Sequence, residues 1–125
     1  MASVMTAYHR QKGSSFERAT ADYLAEALDD DGIDRQVKTG NKDKGDIRGV
    51  KIHGQRIAVE CKNLARLNVG AALAEAEVER GNLDALAGVV IAKRHGKGKP
   101  QDQIVYMSLA DFAAILAGHR PEQEQ

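Results

Sequence analysis

Asp46, and then Glu60 and Lys62 on either side of Cys61, are the residues whose types and spacing suggest chemistry. Side chains alternate along a strand, so a strand over 56–62 sets Ile57, Val59 and Cys61 on one face and Ala58, Glu60 and Lys62 on the other. The first set is apolar and belongs to a core, which makes Cys61 a core thiol. The second places a carboxylate and an ammonium side by side at a strand end, where inward charge is costly unless paired or bound to metal. A Glu-x-Lys triplet alone is a weak signal, since a chain of this length contains one by chance roughly two times in five. Context must decide. Asp46 opens the partner strand, 46–52, directly after Gly45. A three-residue loop at 53–55 sets Asp46 opposite Lys62 and Arg48 opposite Glu60, with both carboxylates on one side. A two-residue His53-Gly54 turn shifts the register by one and separates them, unless a bulge restores the parity. A metal site at these carboxylates therefore requires the first register or a compensating bulge. The plainer alternatives are a turn-capping Asp46 and a surface ion pair between Glu60 and Lys62.

The elements that must position these groups begin with a helix. Ser14, Ser15, Phe16 and Glu17 read as a capping box with Ser14 as N-cap. Phe16, Ala19, Thr20, Tyr23, Leu24, Ala27 and Leu28 follow at helical spacing, and Gly32 is the expected left-handed stop. On a helical wheel Glu17 falls between Leu24 and Leu28, at the margin of the apolar stripe, while Arg18, Asp22 and Glu26 take the polar face. Glu17 thus serves either the cap or a site beside the core. A strand over 33–39 follows, then a turn-rich loop at 40–45 carrying Lys42 and Lys44, then the hairpin. Residues 67–80 form a helix with Gly81-Asn82 as its stop and a further turn to Leu86. The apolar run 88–93 is a buried central strand. After a basic, Gly-rich loop, 103–107 is another strand, and Ser108 caps a last helix to about Ala117. Residues 1–12 and the tail after Pro121 read as irregular. The acids Glu75, Glu77 and Glu79 read as an exposed helix face, Asp29-Asp30-Asp31 as a solvated helix end, and His9, His53, His95 and His119 as solvated. The expectation is one α/β domain over 1–125, ordered from about 12 to 118. Its order is αβββαββα, with a mixed central sheet flanked by helices.

Composition limits the function classes. The chain has 125 residues, 42% hydrophobic and 29% charged, the balance of an ordered globular domain. No apolar run reaches the roughly 20 residues of a membrane span, and the N-terminus lacks a signal-peptide core. The single Cys excludes an intrachain disulfide framework and a thiolate zinc cluster, and it fits a reducing cytoplasm. With no Trp, three Tyr and two Phe, a base-stacking platform is not expected. Net charge is zero, yet residues 35–66 carry nine basic side chains against Asp43, Asp46 and Glu60. A second basic stretch holds Lys93, Arg94, Lys97 and Lys99 against Asp102. If the fold brings the two stretches to one face they could track phosphates; otherwise they are a solvated surface of mixed sign.

Asp46 … Glu60-Cys61-Lys62 resembles the signature of the restriction-endonuclease-like, or PD-(D/E)xK, nuclease superfamily. Lys12-Gly13-Ser14-Ser15-Phe16-Glu17-Arg18, leading into its helix, is similar to the start of archaeal-type Holliday junction resolvases and their small phage-encoded relatives. So, in spacing and character, are Ala74-Glu75-Ala76-Glu77, Gly88-Val89-Val90-Ile91-Ala92-Lys93-Arg94 and Met107-Ser108-Leu109-Ala110-Asp111-Phe112. The resemblance covers about residues 10–115. Resolvases often carry a Ser in the loop before the Asp, where this chain has Thr39 and Asn41. The resemblance implies a restriction-endonuclease-like sandwich. It implies that Glu17, Asp46 and Glu60 ligate Mg²⁺ or Mn²⁺, for which hard oxygen donors are suited. Lys62 would orient or help deprotonate the attacking water and stabilise charge building on the phosphorane. Lys12, Lys42, Lys44, Lys93, Arg94 and Lys97 would contact phosphates. The implied activity is magnesium-dependent hydrolysis of branched DNA, above all four-way junctions, in recombination or repair. The implied setting is the cytoplasm of a bacterium or a phage-infected host, with no membrane partner. Paired nicks on a two-fold junction imply a homodimer. The alternatives are another nuclease of the superfamily (nicking, flap or repair) and a non-catalytic DNA-binding module of the same fold.

Overall fold

The computed structural model describes residues 4–38 and 40–121, with side chains from residue 7 onward. Its elements are α1 (Val4–Ala27), β1 (Asp34–Arg35), β2 (Ile47–Arg48), β3 (Lys51–Ile52), β4 (Gln55–Lys62), α2 (Val69–Leu83), β5 (Ala87–Ala92), a 3-10 turn (Pro100–Asp102), β6 (Ile104–Tyr106) and α3 (Leu109–Ala117). The strands form one mixed sheet in the order β1-β2-β4-β5-β6, with β3 paired to β4. β4 and β5 run parallel over six residue pairs and the other pairings are antiparallel. A parallel pair needs a crossover, and α2 provides it. Every residue of β5 is buried, as its continuous apolar run requires. Ile57 and Val59 pack with Phe16 and Ala21 of α1 and Ala114 of α3 in the larger core, and Cys61 packs against it. Ala72 and Ala76 of α2 close on Val90 in a smaller core. The face of β4 bearing Ala58, Glu60 and Lys62 therefore lies under α2. No helix among the described residues is long and apolar enough to cross a membrane.

Several element ends differ from the sequence expectation, each for a local reason. α1 is already helical at Val4, so Ser14 lies inside it and the capping-box role of Ser14 and Glu17 is lost. Residues 1–3 and the tail from 122 lie outside the described residues. The helix ends at Ala27, and its left-handed stop is Asp29, not Gly32: Asp29 takes φ 48°, its N–H bonds the Glu26 carbonyl, and the Asp30 N–H bonds that of Ala25. This is a Schellman ending, and Asp is among the few residues besides Gly that tolerate the left-handed region. Asp30 Oδ1 then accepts from the Gly32 N–H, so the acidic run shapes a turn. The strand expected at 33–39 contracts to two residues, and Thr39 lies outside the described residues. α2 starts at the Asn68 cap and runs through Gly81-Asn82 to a left-handed Asp84. α3 has the expected Ser108 cap and ends at Gly118. The rings of His53 and His95 are bonded to the carbonyls of Ile115 and Ala65, a role the sequence reading did not give them.

The hairpin has a two-residue turn, not the three-residue loop. His53 and Gly54 have φ of 54° and 71°, and Lys51 stands opposite Arg56. Farther along, Ile47 stands opposite Val59 while the Ile57 N–H bonds the Val50 carbonyl. The strand expected at 46–52 thus advances one residue more than β4 over this span, a bulge that splits it into β2 and β3. Gly49 makes the bulge, with φ of 84°, and a Cβ there would stand 2.3 Å from the Gly32 carbonyl oxygen. This is the compensating bulge that places Asp46 and Glu60 on the same side. Gly49→Ala is therefore expected to cost about 2 kcal/mol or more in urea denaturation. Gly13→Ala, within α1 and with nothing within 4 Å of the added Cβ, should stabilise by about 0.5–1 kcal/mol.

Candidate metal centre

Asp46 is fixed to β4 from both sides of Glu60. Its N–H donates to the Val59 carbonyl at 2.7 Å, and its Oδ2 accepts from the Cys61 N–H at 2.8 Å. These bonds bring its carboxyl within hydrogen-bonding reach of that of Glu60, which is 6% exposed. Burial, then the adjoining Asp46 and Glu79 carboxyls, push the Glu60 pKa far above the carboxylate range. The charges of Asp46, Glu17 and Glu60 add to burial in raising the Cys61 thiol, which leaves it a packing group and not a nucleophile.

The side chain that the sequence reading missed is Glu79. It is 1% exposed, and no hydrogen-bond donor among the described residues reaches either of its carboxylate oxygens. Ala72, Ala76 and Glu79 are the buried residues of α2, spaced four and three apart on one helical face. That spacing was the available signal; an alternating Ala-Glu pattern hid it by suggesting an exposed acidic face. Asp43 is drawn in by the loop before β2. Its carbonyl accepts from Asn82 Nδ2 at 2.8 Å and its Oδ1 from the Gly45 N–H at 2.9 Å. Gly45 carries the loop close over β4, since a Cβ there would lie 2.8 Å from the Val59 carbonyl oxygen. One carboxylate oxygen from each of Asp43, Glu60 and Glu79 lies within 4.8 Å of the other two. At that spacing each ionised pair repels by roughly 3–4 kcal/mol for an effective dielectric constant near 20.

Asp46 and Glu17 are outside the mutual 4.8 Å set, and Glu17 pairs with Arg35 at 3.2 Å. The Glu17 pKa is raised by burial and by Asp46, against the pull of Arg35. Lys62 Nζ bonds Glu75 Oε2 at 2.9 Å, so Glu75 is half of an ion pair bridging α2 and β4. Burial alone would lower the Lys62 pKa, but Glu75, Glu60 and Asp46 outweigh it and the ammonium is retained. Lys42 and Lys44, with Lys38, line a cavity of about 200 Å³ formed by the loop before β2. Lys12 is half-buried on α1 and Lys97 is exposed. The Lys93 ammonium donates to the carbonyls of Arg94 and Lys97. Arg94 donates to the Asp102 carbonyl, so both residues hold their loop together.

The donor set fits a hard divalent cation: all its ligands are carboxylate oxygens, and one is an orphaned buried carboxylate. Between the ordinary value of 4.5 and the raised pKa values of Glu60 and Glu79, the folded chain holds more protons than the unfolded chain. Its stability therefore falls as pH rises through that window. We expect the metal-free protein, with Asp43, Asp46 and Lys62 beside these groups, to lose urea resistance from about pH 5 to about pH 8. Glu60→Gln should flatten that slope, and a wild-type slope of opposite sign would contradict the assignment. No protein-family model, curated protein or solved structure matches this chain.

Proposed function

We propose that this chain is a metal-dependent, structure-selective DNA endonuclease of the PD-(D/E)xK type, folded as a restriction-endonuclease-like sandwich, that resolves four-way junctions. The observation that carries the reading is the bulged register, which sets the Asp46 carboxyl against Glu60, with Lys62 next on the same face of β4. Glu17, Asp46 and Glu60 would hold Mg²⁺ or Mn²⁺. A bound ion of this kind supplies Lewis-acid polarisation of a phosphate and an acidified water. Hydrolysis joins a water oxygen to phosphorus and breaks the bond to O3′. One proton leaves the water and one reaches O3′, giving a 5′-phosphate and a 3′-hydroxyl. Lys62, kept as an ammonium by Glu75, donates hydrogen bonds to the phosphate oxygen on which negative charge grows. Glu17 is oriented by Arg35, and the Cys61 amide orients Asp46. Lys12, Lys42, Lys44 and Lys97 would take phosphates, and the chain shows no base-reading motif, which suits selection by branch shape. A C2 homodimer would place two such sites on the two strands of a junction.

The test is cleavage of labelled four-way junction, flap and linear duplex in Mg²⁺. Junctions should be cut in preference, and Asp46→Asn or Lys62→Ala should lower the rate by about a hundredfold or more. Undiminished cutting by either variant would remove the site assignment. Flap cutting without junction cutting would make it another nuclease of the superfamily, and binding without cutting a DNA-binding module. With about four phosphate contacts, affinity should fall on the order of a hundredfold between 50 and 200 mM salt. A flat response, read by fluorescence anisotropy, would exclude phosphate-dominated binding.

A further inference from the structure

We propose that Asp43, Glu60 and Glu79 form a divalent-cation site of their own, sharing Glu60 with the ligand set of the nuclease reading. Cation binding here rests on the cluster itself; its use in hydrolysis rests on that reading. The starting point is Glu79, a carboxylate 1% exposed with neither oxygen met by a donor among the described residues. A buried carboxyl without a donor is a costly thing to retain unless something else completes it. Glu79 is not stranded in apolar surroundings: its oxygens face the carboxyls of Glu60 and Asp43, all within 4.8 Å of one another. Three oxygens no more than 4.8 Å from one another share a centre at most about 2.8 Å from each. Inward adjustment by a few tenths of an ångström would bring all three to the roughly 2.3–2.6 Å of Ca²⁺, and somewhat more to the roughly 2.0–2.1 Å of Mg²⁺.

The three ligands also differ usefully in exposure. Glu79 and Glu60 are buried while Asp43 is exposed, which leaves an entry route and room for the waters such ions retain. Each ligand is held by a different element. Glu60 is on β4, Glu79 is on α2, and Asp43 is on a loop tied to α2 through Asn82. Lys62 is a nearby cation, but its ammonium hydrogen-bonds Glu75 and acts on Glu60 and Asp46 through charge alone. Hard oxygen ligands without imidazole or thiolate select Mg²⁺, Mn²⁺ or Ca²⁺ over zinc or copper.

The experiment is Mn²⁺ titration of the full chain, read by the EPR signal of unbound Mn²⁺, with thermal denaturation in parallel. Wild type should take up two ions, and Mn²⁺ should raise its melting temperature. Glu79→Gln should weaken one ion about tenfold or more while melting at or above wild type in chelator, since a buried charge has gone. Asp43→Asn, at an exposed position, should weaken the same ion and serves if Glu79→Gln does not fold. Asp46→Asn should instead weaken the ion of the nuclease reading. A shift smaller than tenfold in both Glu79→Gln and Asp43→Asn overturns the inference, whatever Asp46→Asn does. Loss only in those two variants, with Asp46→Asn unaffected, upholds it and counts against the nuclease reading. A wild type that takes up no Mn²⁺ overturns both.

Discussion

Mutual repulsion among carboxylates under one helix governs this structure. Asp43, Asp46, Glu60 and Glu79 come together where β4 passes beneath α2, and two of them are buried. Like charges at such spacing are tolerated only with protons, donors or cations among them. The fold supplies a partial answer. The Cys61 amide is spent on Asp46, the Gly45 amide on Asp43, and a nearby ammonium on Glu75. Glu79 receives no amide or ammonium and faces only other carboxyls, so the imbalance is concentrated there.

Support for the cluster comes from elements that differ in rigidity. Glu60 and Glu79 belong to one strand-helix-strand unit, locked by six parallel pairs between β4 and β5. Asp43 and Asp46 arrive on the loop that leads into the two-residue β2, and their placement depends on a few specific bonds. Glu17 stands on a long helix whose packing is set by Phe16 and Ala21 in the larger core. The unit with the most pairing thus carries the most costly charges, while the exposed segment carries the ligand nearest solvent.

Much of the architecture could be read from patterns with one physical meaning. The apolar run of β5, the alternation of β4 and the Ser108 cap of α3 all appear where chemistry requires them. The start of α1 was not legible, because Ser14 to Glu17 fits a cap as well as a helix interior, and only tertiary context chooses. The bulge at Gly49 could be stated only as a condition, since the need for it arises from the turn chosen at the other end of the hairpin. The site divided in the same way. Glu60 and Lys62 follow from strand parity, whereas the burial of Glu79 depends on which face of α2 meets the sheet. The carbonyls that Lys93 and Arg94 bond could not be read in advance, because they become neighbours only when their loop closes.

The sheet also ends in a way that limits self-association. Its edge strands are β1, two residues long and made of Asp34 and Arg35, and β6, three residues long. Neither offers a stretch of backbone amides and carbonyls long enough to template a continuous intermolecular ladder. Two copies of this molecule would meet through side chains more than through shared backbone, and uncontrolled growth by strand addition is discouraged at both rims.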